Sequence, residues 1–556
     1  MKQRFFADST ARVLLVVLFL VAIVAAIFIA GASLHDPDTC WLLALGQRIL
    51  ESGAIPQSDP YSYTMELFPD RRFVLYQWLT EVLFALSYKA LDLTGLLLLA
   101  AIILTASFVS IPLALARKIG MPGCFAIGGT ILTLLTAFFH FLCRPEIFSY
   151  LLLGAYISLT HFFLRNKTLD RIDFKAVTVF GVVMALWCNL HSGFVLGLLY
   201  LLIFTLVTTI SDFVVEKKLQ AIDLTIIFSF ASAFLCSFAN PYGAGLWQYL
   251  PTLFFTPLNR YIIELRPISG RDFLEWTFYP ALILFVVTGI ITARALIRKI
   301  DTGVVNTPRG QVVFAAIAVF SWIIAGLCSR RLIPFAAIHL FAEGGYMLSL
   351  LRKQSERSDQ YQQSAQSEQA DEADQPDRPE QDDRLSFWEM VDRKLHSSYD
   401  PRGFMWFVTI AVFASIGVYF VTLRVSAPVL PQSSKVMQAP FDAIKFIGEK
   451  APPGRVFNDP QFGDVLIWKL KQPPKLFIDT RFDMYGAQIV EDYQTIYSTK
   501  AGWDGLLEKY DVAWVFVRPE APVAKMLRQE KGWMPIYEDK ASVILQKPKS
   551  GAQPSL

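Results

Sequence analysis

"LHDPDTCWLLALGQRILESGAIPQSDPYSYT", residues 34–64, directly follows a long apolar run that begins near Val13. A His and two acids therefore stand at the mouth of a membrane-length segment. Asp36 and Asp38 flank Pro37, which bends the backbone away from helix and keeps the two carboxylates close. Two such groups repel unless a cation or a donor sits between them. One of them can then hold a raised pKa and work as a base. Both could instead bind a hard divalent ion through oxygen. The plainer role is helix capping, because "TCWLLALGQRIL" reads as a short amphipathic helix. "RILESGAIPQSDPYSYT" continues as helix, glycine stop and proline turns, with Asp59-Pro60 as a turn initiator.

The rest of the chain places this stretch at a membrane. Of its 556 residues 54% are hydrophobic and only 18% charged, with a mean hydropathy of +0.41. A soluble protein carries about 25% charged residues. Apolar stretches of about 18 residues or more recur through the first two-thirds, which predicts a polytopic membrane protein. A net charge of +3 gives no footprint for nucleic acid. The six cysteines have no metal-ligand spacing, and none falls in the polar C-terminal part.

Short basic loops set the orientation. Lys2, Arg4 and Arg12 precede the first apolar run, and Arg117 with Lys118, Arg165 with Lys167 and Arg171, Lys217 with Lys218, Arg298 with Lys299, and Arg352 with Lys353 recur along the chain. Placing all of these in the cytoplasm satisfies the positive-inside rule. The spans then fall near 12–33, 94–116, 122–142, 146–164, 174–191, 193–212, 221–239, 276–297, 311–328, 332–350 and 403–424, about eleven by the ~20-residue rule. Residues 75–91 are assigned to an interfacial helix outside the membrane. The N-terminus is expected in the cytoplasm.

Four regions result. Residues 1–353 form the main helical bundle. Residues 354–402, rich in Gln, Ser, Asp and Glu, are expected to be a disordered cytoplasmic linker. Residues 403–424 return the chain through the membrane, and 425–556 form an outer α/β domain. In that domain "RVFNDP", "KLFIDTRF", "VAWVFVR", "MPIYE" and "ASVILQK" read as strands of a mostly parallel sheet. "GDVLIWKL" and "APVAKMLRQEKG" read as helices.

With this topology the polar groups stranded in apolar sequence nearly all reach the outer face. They are His35, Asp36, Asp38, Glu66, Glu81, Arg144, Glu146, His191, Asn240, Glu264, Arg266, Arg330 and Arg331. Ionisable groups at membrane depth are costly and mark a site or pathway. Arg144 in "CRPEIFSY" and the adjacent Arg330 and Arg331 in "CSRRLIPF" suit a phosphate, because a guanidinium pairs bidentately with its oxygens. Arg144 could equally be an interfacial anchor or pair with an outer acid. His191 in "WCNLHSGF" is either a structural residue at a tight turn or a proton carrier or ligand. Carboxylates and arginines beneath a soluble domain suit a substrate with a phosphate head and a lipid tail. Against that reading stand a transporter or flippase, which needs mid-membrane polar groups and often shows repeated halves, and a non-catalytic scaffold for envelope assembly.

The first loop also resembles the bacterial multi-pass proteins of the type C glycosyltransferase superfamily. There an apolar helix runs into D-x-D, a W-x-L-x-x-G helix, and then G-x-x-P-x-x-D-P-[FY]-S-[YF]-T. "QWLTEVLFAL", "RPEIFSY", "NLHSGFVLG", "NPYGAGLW", "RRLIPF" and "IDTRFDMYG" resemble the same group. The resemblance implies an all-α polytopic membrane bundle with a C-terminal soluble α/β domain. It implies a bacterial cytoplasmic-membrane enzyme that takes sugar from a polyprenyl-phosphate donor and passes it to an envelope acceptor at the outer face. By position it implies Asp36 as the catalytic acid, with Asp38 second. Apart from the resemblance, Arg144, His191, Arg330 and Arg331 are the candidate donor-phosphate contacts, and Asp36, Asp38 and His35 are candidate ligands of a divalent ion. Leu42 stands where His often follows the Trp.

Overall fold

The computed structural model describes residues 36–68, 71–165, 168–255, 258, 263–269, 278–298, 300, 307–372, 440–450 and 452–548, together with Ile23. His35, the expected span 12–33 apart from Ile23, the expected span 403–424, and residues 373–402 of the expected linker lie outside the described residues.

The opening stretch forms helix α1, Asp38–Ser52. Pro37 takes the N-cap position, and Asp36 Oδ1 accepts the N–H of Asp38 at 3.1 Å. Asp36 thus ties off the helix entrance, while Asp38 sits in the first turn, where its charge meets the positive end of the helix dipole. At the other end Gly53 adopts φ 65° and its N–H returns to the Ile49 carbonyl at 2.9 Å. Any side chain at that φ is strained, so glycine gives a clean stop. Trp41, Leu42, Leu45 and Ile49 are buried.

Helix α2, Trp78–Thr105, is broken at Leu91 and Asp92, where Asp92 takes φ 50°. The break separates the expected interfacial helix from the span that follows. The span continues through a π-helical turn, Ala106–Ser110, into Ile111–Ile119. Helix α1 crosses the first half of α2 at Gly46, where an added Cβ would collide with the Glu81 carbonyl and with Ala85.

The bundle is completed by α3 (Gly123–Ala137), α4 (Glu146–Leu159), α5 (Phe174–Leu190), α6 (Phe194–Glu216), α7 (Ala221–Cys236), α8 (Ala244–Phe254), α9 (Tyr279–Ile297), α10 (Arg309–Cys328) and α11 (Ile333–Glu372). Seven helices among the described residues are long and apolar enough to cross a membrane. Two more, α5 and α7, are apolar but shorter. Helix α11 packs against α3, α4, α9 and α10, so it runs through the interior. It also corrects one expectation, since the helix continues to Glu372 and the linker does not begin at 354. Arg165, expected in a short basic loop facing the cytoplasm, is buried and pairs with Glu343 of α11 at 2.6 Å. Tyr200 donates to the same carboxylate at 3.3 Å, and the guanidinium lies over the rings of Phe204, Phe314 and Tyr346.

The soluble domain holds helices α12 (Phe441–Lys450), α13 (Pro460–Lys469), α14 (Phe482–Tyr497), α15 (Trp503–Lys509) and α16 (Pro522–Glu530). Its four strands are β1 (Arg455–Asn458), β2 (Val512–Val517), β3 (Met534–Glu538) and β4 (Val543–Gln546), in sheet order β1-β2-β4-β3. Only β1 and β2 are parallel, and β4 runs antiparallel to both β2 and β3. The expected mostly parallel sheet is therefore mixed.

"KLFIDTRF" is not one of its strands. It is extended and bridges the first loop, Ser62 pairing with Leu476. The Leu476 N–H reaches the Tyr61 carbonyl at 2.8 Å and the Tyr63 N–H reaches the Leu476 carbonyl at 3.1 Å. Thr64 Oγ1 donates to the Phe477 carbonyl and Tyr63 Oη to that of Val456. Helix α13 lies on α1. One continuous apolar core consequently runs from Trp41 of α1 to Leu545 of β4.

Candidate functional site

The site is built around Arg144, which stands in the turn between α3 and α4. Its Nε donates to Asp36 Oδ2, its Nη2 lies 3.2 Å from Asp38 Oδ2, and its Nη1 reaches Glu264 Oε2 at 3.0 Å. One guanidinium thus joins three carboxylates from two distant parts of the chain. Pro37 and the start of α1 hold the two aspartates at the same end of the bundle as the α3–α4 turn. Thr39 Oγ1 fixes that registry by donating to the Cys143 carbonyl at 3.2 Å.

Two further groups extend the network. His140 Nε2 lies 3.5 Å from Glu264 Oε2, and His140 Nδ1 lies 3.7 Å from Glu146 Oε2 and 3.1 Å from the Tyr150 hydroxyl. Glu146 in turn accepts from Arg331 Nη2. The path from Arg331 through Glu146, His140 and Glu264 to Arg144 and the aspartates is continuous. It brings together Asp36, Asp38, Arg144 and Arg331 of the expected site.

His191 takes no part in it. Its Nδ1 meets Ser149 Oγ at 2.8 Å and accepts the Gly193 N–H at 3.0 Å, with Trp187 Nε1 donating to the same Ser149 hydroxyl. It is a buried linchpin between α4, α5 and α6. Arg330 turns elsewhere as well, its guanidinium lying over the Phe278 ring at 5.7 Å. His140 was not foreseen, because it sits inside an apolar run read as a span.

The two aspartates differ in environment. The Asp36 side chain is 3% exposed and that of Asp38 is 23% exposed. Burial and the neighbouring Asp38 push the Asp36 carboxyl up to about 6, against the opposing pull of Arg144. Burial also acts to raise Glu264, but hydrogen bonding to His140 and the charge of Arg144 outweigh it and bring that carboxyl down to about 2. The arrangement therefore pairs an acid poised near neutrality with one that stays ionised.

The guanidinium of Arg144 fills the space between the aspartates. Among the described residues no group of three His, Cys, Asp or Glu side chains is placed to hold a metal ion. Asp36 and Asp38 both face the Arg144 guanidinium, and His35, the third residue expected to hold a cation, lies outside the described residues.

The soluble domain closes the site through residues 479–483, "DTRFD". Arg481 forms a two-point pair with Asp479, at 2.9 and 2.5 Å, and its Nη2 lies 2.9 Å from Asp59 of the first loop. Thr480 Oγ1 reaches Asp38 Oδ1 at 2.6 Å, and Asp483 accepts from the Tyr249 hydroxyl of α8 at 3.0 Å. Asp59, expected as a turn initiator, accepts the Ser62 N–H at 2.8 Å and is also this docking partner.

No family model and no curated protein matches the sequence. Solved structures do. ArnT from Cupriavidus metallidurans, determined bound to undecaprenyl phosphate, is similar at 14% identity and a TM-score of 0.52 over 98% of this chain and 99% of that one. The archaeal oligosaccharyltransferase AglB from Archaeoglobus fulgidus, determined with an inhibitory peptide and a dolichol-phosphate, is similar at 11% identity and a TM-score of 0.57 over 90% and 69%. The arabinofuranosyltransferase AftD from mycobacteria aligns at 11% identity and 0.52 over 96% of this chain and 40% of that one. The chain has the type C glycosyltransferase fold.

Proposed function

We propose that the protein is a membrane glycosyltransferase. It moves a sugar from a polyprenyl-phosphate donor to an envelope lipid, glycan or protein acceptor at the outer face of a bacterial cytoplasmic membrane, with the soluble domain outside and the N-terminus inside. The observation that carries this reading is Arg144, a cation shared by three carboxylates on a fold whose neighbours were determined with polyprenyl-type phosphates.

An arriving phosphate competes for Arg144. Its oxygens can take, as a two-point pair, the Nε and Nη2 contacts that Asp36 and Asp38 now share. Once Arg144 turns to the phosphate, Asp36 loses its cation and becomes a stronger base. The acceptor hydroxyl gives its proton to Asp36, its oxygen bonds to the sugar carbon, and the sugar–phosphate C–O bond breaks. The electron pair leaves with the phosphate, where Arg144 and Arg331 stabilise the charge. Asp38, the more exposed acid, orients the acceptor. Arg330 and His191 support the site indirectly, Arg330 through the turn that presents Arg331 and His191 through Ser149, one turn along α4 from Glu146.

The test uses the full chain in lipid nanodiscs, supplied with undecaprenyl-phosphate-linked hexoses and pentoses. The expected result is release or transfer of one of the sugars, with undecaprenyl phosphate left behind. Movement of the intact donor across a vesicle membrane without chemistry would instead favour a flippase. Neither chemistry nor movement across the whole donor set would favour a scaffold.

A further inference from the structure

The hydroxyl of Thr480 makes two contacts that one hydrogen cannot satisfy. Its Oγ1 lies 2.6 Å from Asp38 Oδ1 and 2.9 Å from Asp464 Oδ2, while its backbone N–H lies 3.2 Å from Asp464 Oδ1. A threonine hydroxyl has a single hydrogen to donate, and an ionised carboxylate only accepts. With both acids ionised, one of the two short contacts would be an unbridged oxygen–oxygen pair. A second proton must therefore sit within the trio.

The distances assign it. The shorter contact, to Asp38, falls in the range of a hydroxyl donating to a charged carboxylate, and the longer one is ordinary for neutral partners. Thr480 thus donates to Asp38, and the Asp464 carboxyl donates to Thr480. The surroundings agree. Asp464 on α13 is fully buried. It faces Asp38 and Cys40 of α1 and Asp479 of the docking segment, with Lys469 further along its own helix. Burial first, and then the like charges of Asp479 and Asp38, push its carboxyl well above the usual range.

We propose that Thr480 and Asp464 are positioning residues for Asp38: a neutral Asp464 hands a hydrogen bond to Thr480, and Thr480 hands its own to the Asp38 carboxylate. This rests on the transferase reading only for its consequence in catalysis. Oδ1 of Asp38 is then fixed by the soluble domain and Oδ2 is held by Arg144. When a donor phosphate draws Arg144 away, Oδ2 is the oxygen left to meet the acceptor. The membrane domain cannot set this geometry alone, so the soluble domain completes the site.

Two independent readouts test it. The first needs no substrate: infrared difference spectra of the full chain in nanodiscs at neutral pH, wild type against Asp464→Asn. Loss of a protonated-carboxyl band in the variant is expected, and spectra without such a loss would overturn the proposal. The second is kinetic, using undecaprenyl-phosphate hexose and pentose donors. Thr480→Val should lower kcat about tenfold with KM for the donor held, while Thr480→Ser recovers most of kcat. Asp464→Asn, whose amide N–H can replace the acid proton, should keep the melting temperature that Asp464→Ala loses. Wild-type kcat in folded Thr480→Val overturns the positioning role. If wild type turns over none of these donors, the transferase reading falls, and the infrared and melting data still decide the relay.

Discussion

At the residue scale the proposed chemistry turns on the contrast between Asp36 and Asp38. A base must be ionised to accept a proton, and the Asp36 carboxyl is raised to about 6. Turnover should accordingly be lost as pH falls through about 6, and a kcat/KM profile checks it. Removing Asp38 should flatten that limb toward lower pH, because one cause of the raised value disappears. Arg144 has a structural duty too, since three acids converge on it. Arg144→Ala leaves the buried Asp36 carboxylate without its counter-charge, at a cost of about 3–5 kcal/mol measured by thermal unfolding in detergent. Arg144→Lys should recover part of the stability but little turnover, because an ammonium lacks the two-point fork. The Asp36–Asp38 pair and Arg144 were legible because they stand in motifs beside prolines. His140 was not, because a histidine inside an apolar run gives no periodic or spacing signal. His191 and Arg330 looked alike in sequence to residues of the site. Only the rotation of their side chains, toward Ser149 and Phe278, tells them apart.

At the element scale the close crossing of α1 and α2 sets the site's floor. Gly46 has no room for a Cβ against the Glu81 carbonyl. Gly46→Val should separate the two helices, displace Asp36 and Asp38, and lower the melting temperature, with crosslinking between cysteines introduced along α1 and α2 as the check. The Arg165–Glu343 pair is the corresponding pin at the other side of the bundle. Breaking it singly, by Arg165→Leu or Glu343→Leu, should cost about 3–5 kcal/mol, and the double substitution should cost less than either. A double-mutant cycle on unfolding measures this directly. The helices themselves were readable from apolar periodicity and basic loops. The buried pairing of Arg165 was not, because a basic residue at a helix end has the same signature whether it points to water or inward. The run of α11 to Glu372 escaped for a related reason. Gln, Ser and Glu residues mark a disordered segment by composition, yet Gln and Glu are also good helix formers.

At the scale of the whole molecule, the soluble domain and the membrane bundle share one core and meet at Asp38. The meeting places are two short motifs, "DPYSYT" at 59–64 and "KLFIDTRFD" at 475–483. The second has the apolar pattern of a sheet strand, but its backbone partner is the first loop, far away in sequence. Pairing over that separation leaves no local trace, which is why the expected sheet lost a member. Arg481 locks the two motifs by spanning Asp479 and Asp59. Arg481→Leu should undock the soluble domain, raising hydrogen exchange at 59–64 and 475–483 together while leaving α3 to α7 protected.

The central claim is that Asp36 accepts the acceptor's proton as Arg144 stabilises the departing lipid phosphate. Its most direct test is the rate of sugar loss from an undecaprenyl-phosphate-linked sugar by Asp36→Asn in nanodiscs, beside the wild type. The amide keeps the shape of the carboxylate and removes its basicity. A fall of about a thousandfold is predicted, with undecaprenyl phosphate still bound. Turnover at the wild-type rate in that variant would contradict the account.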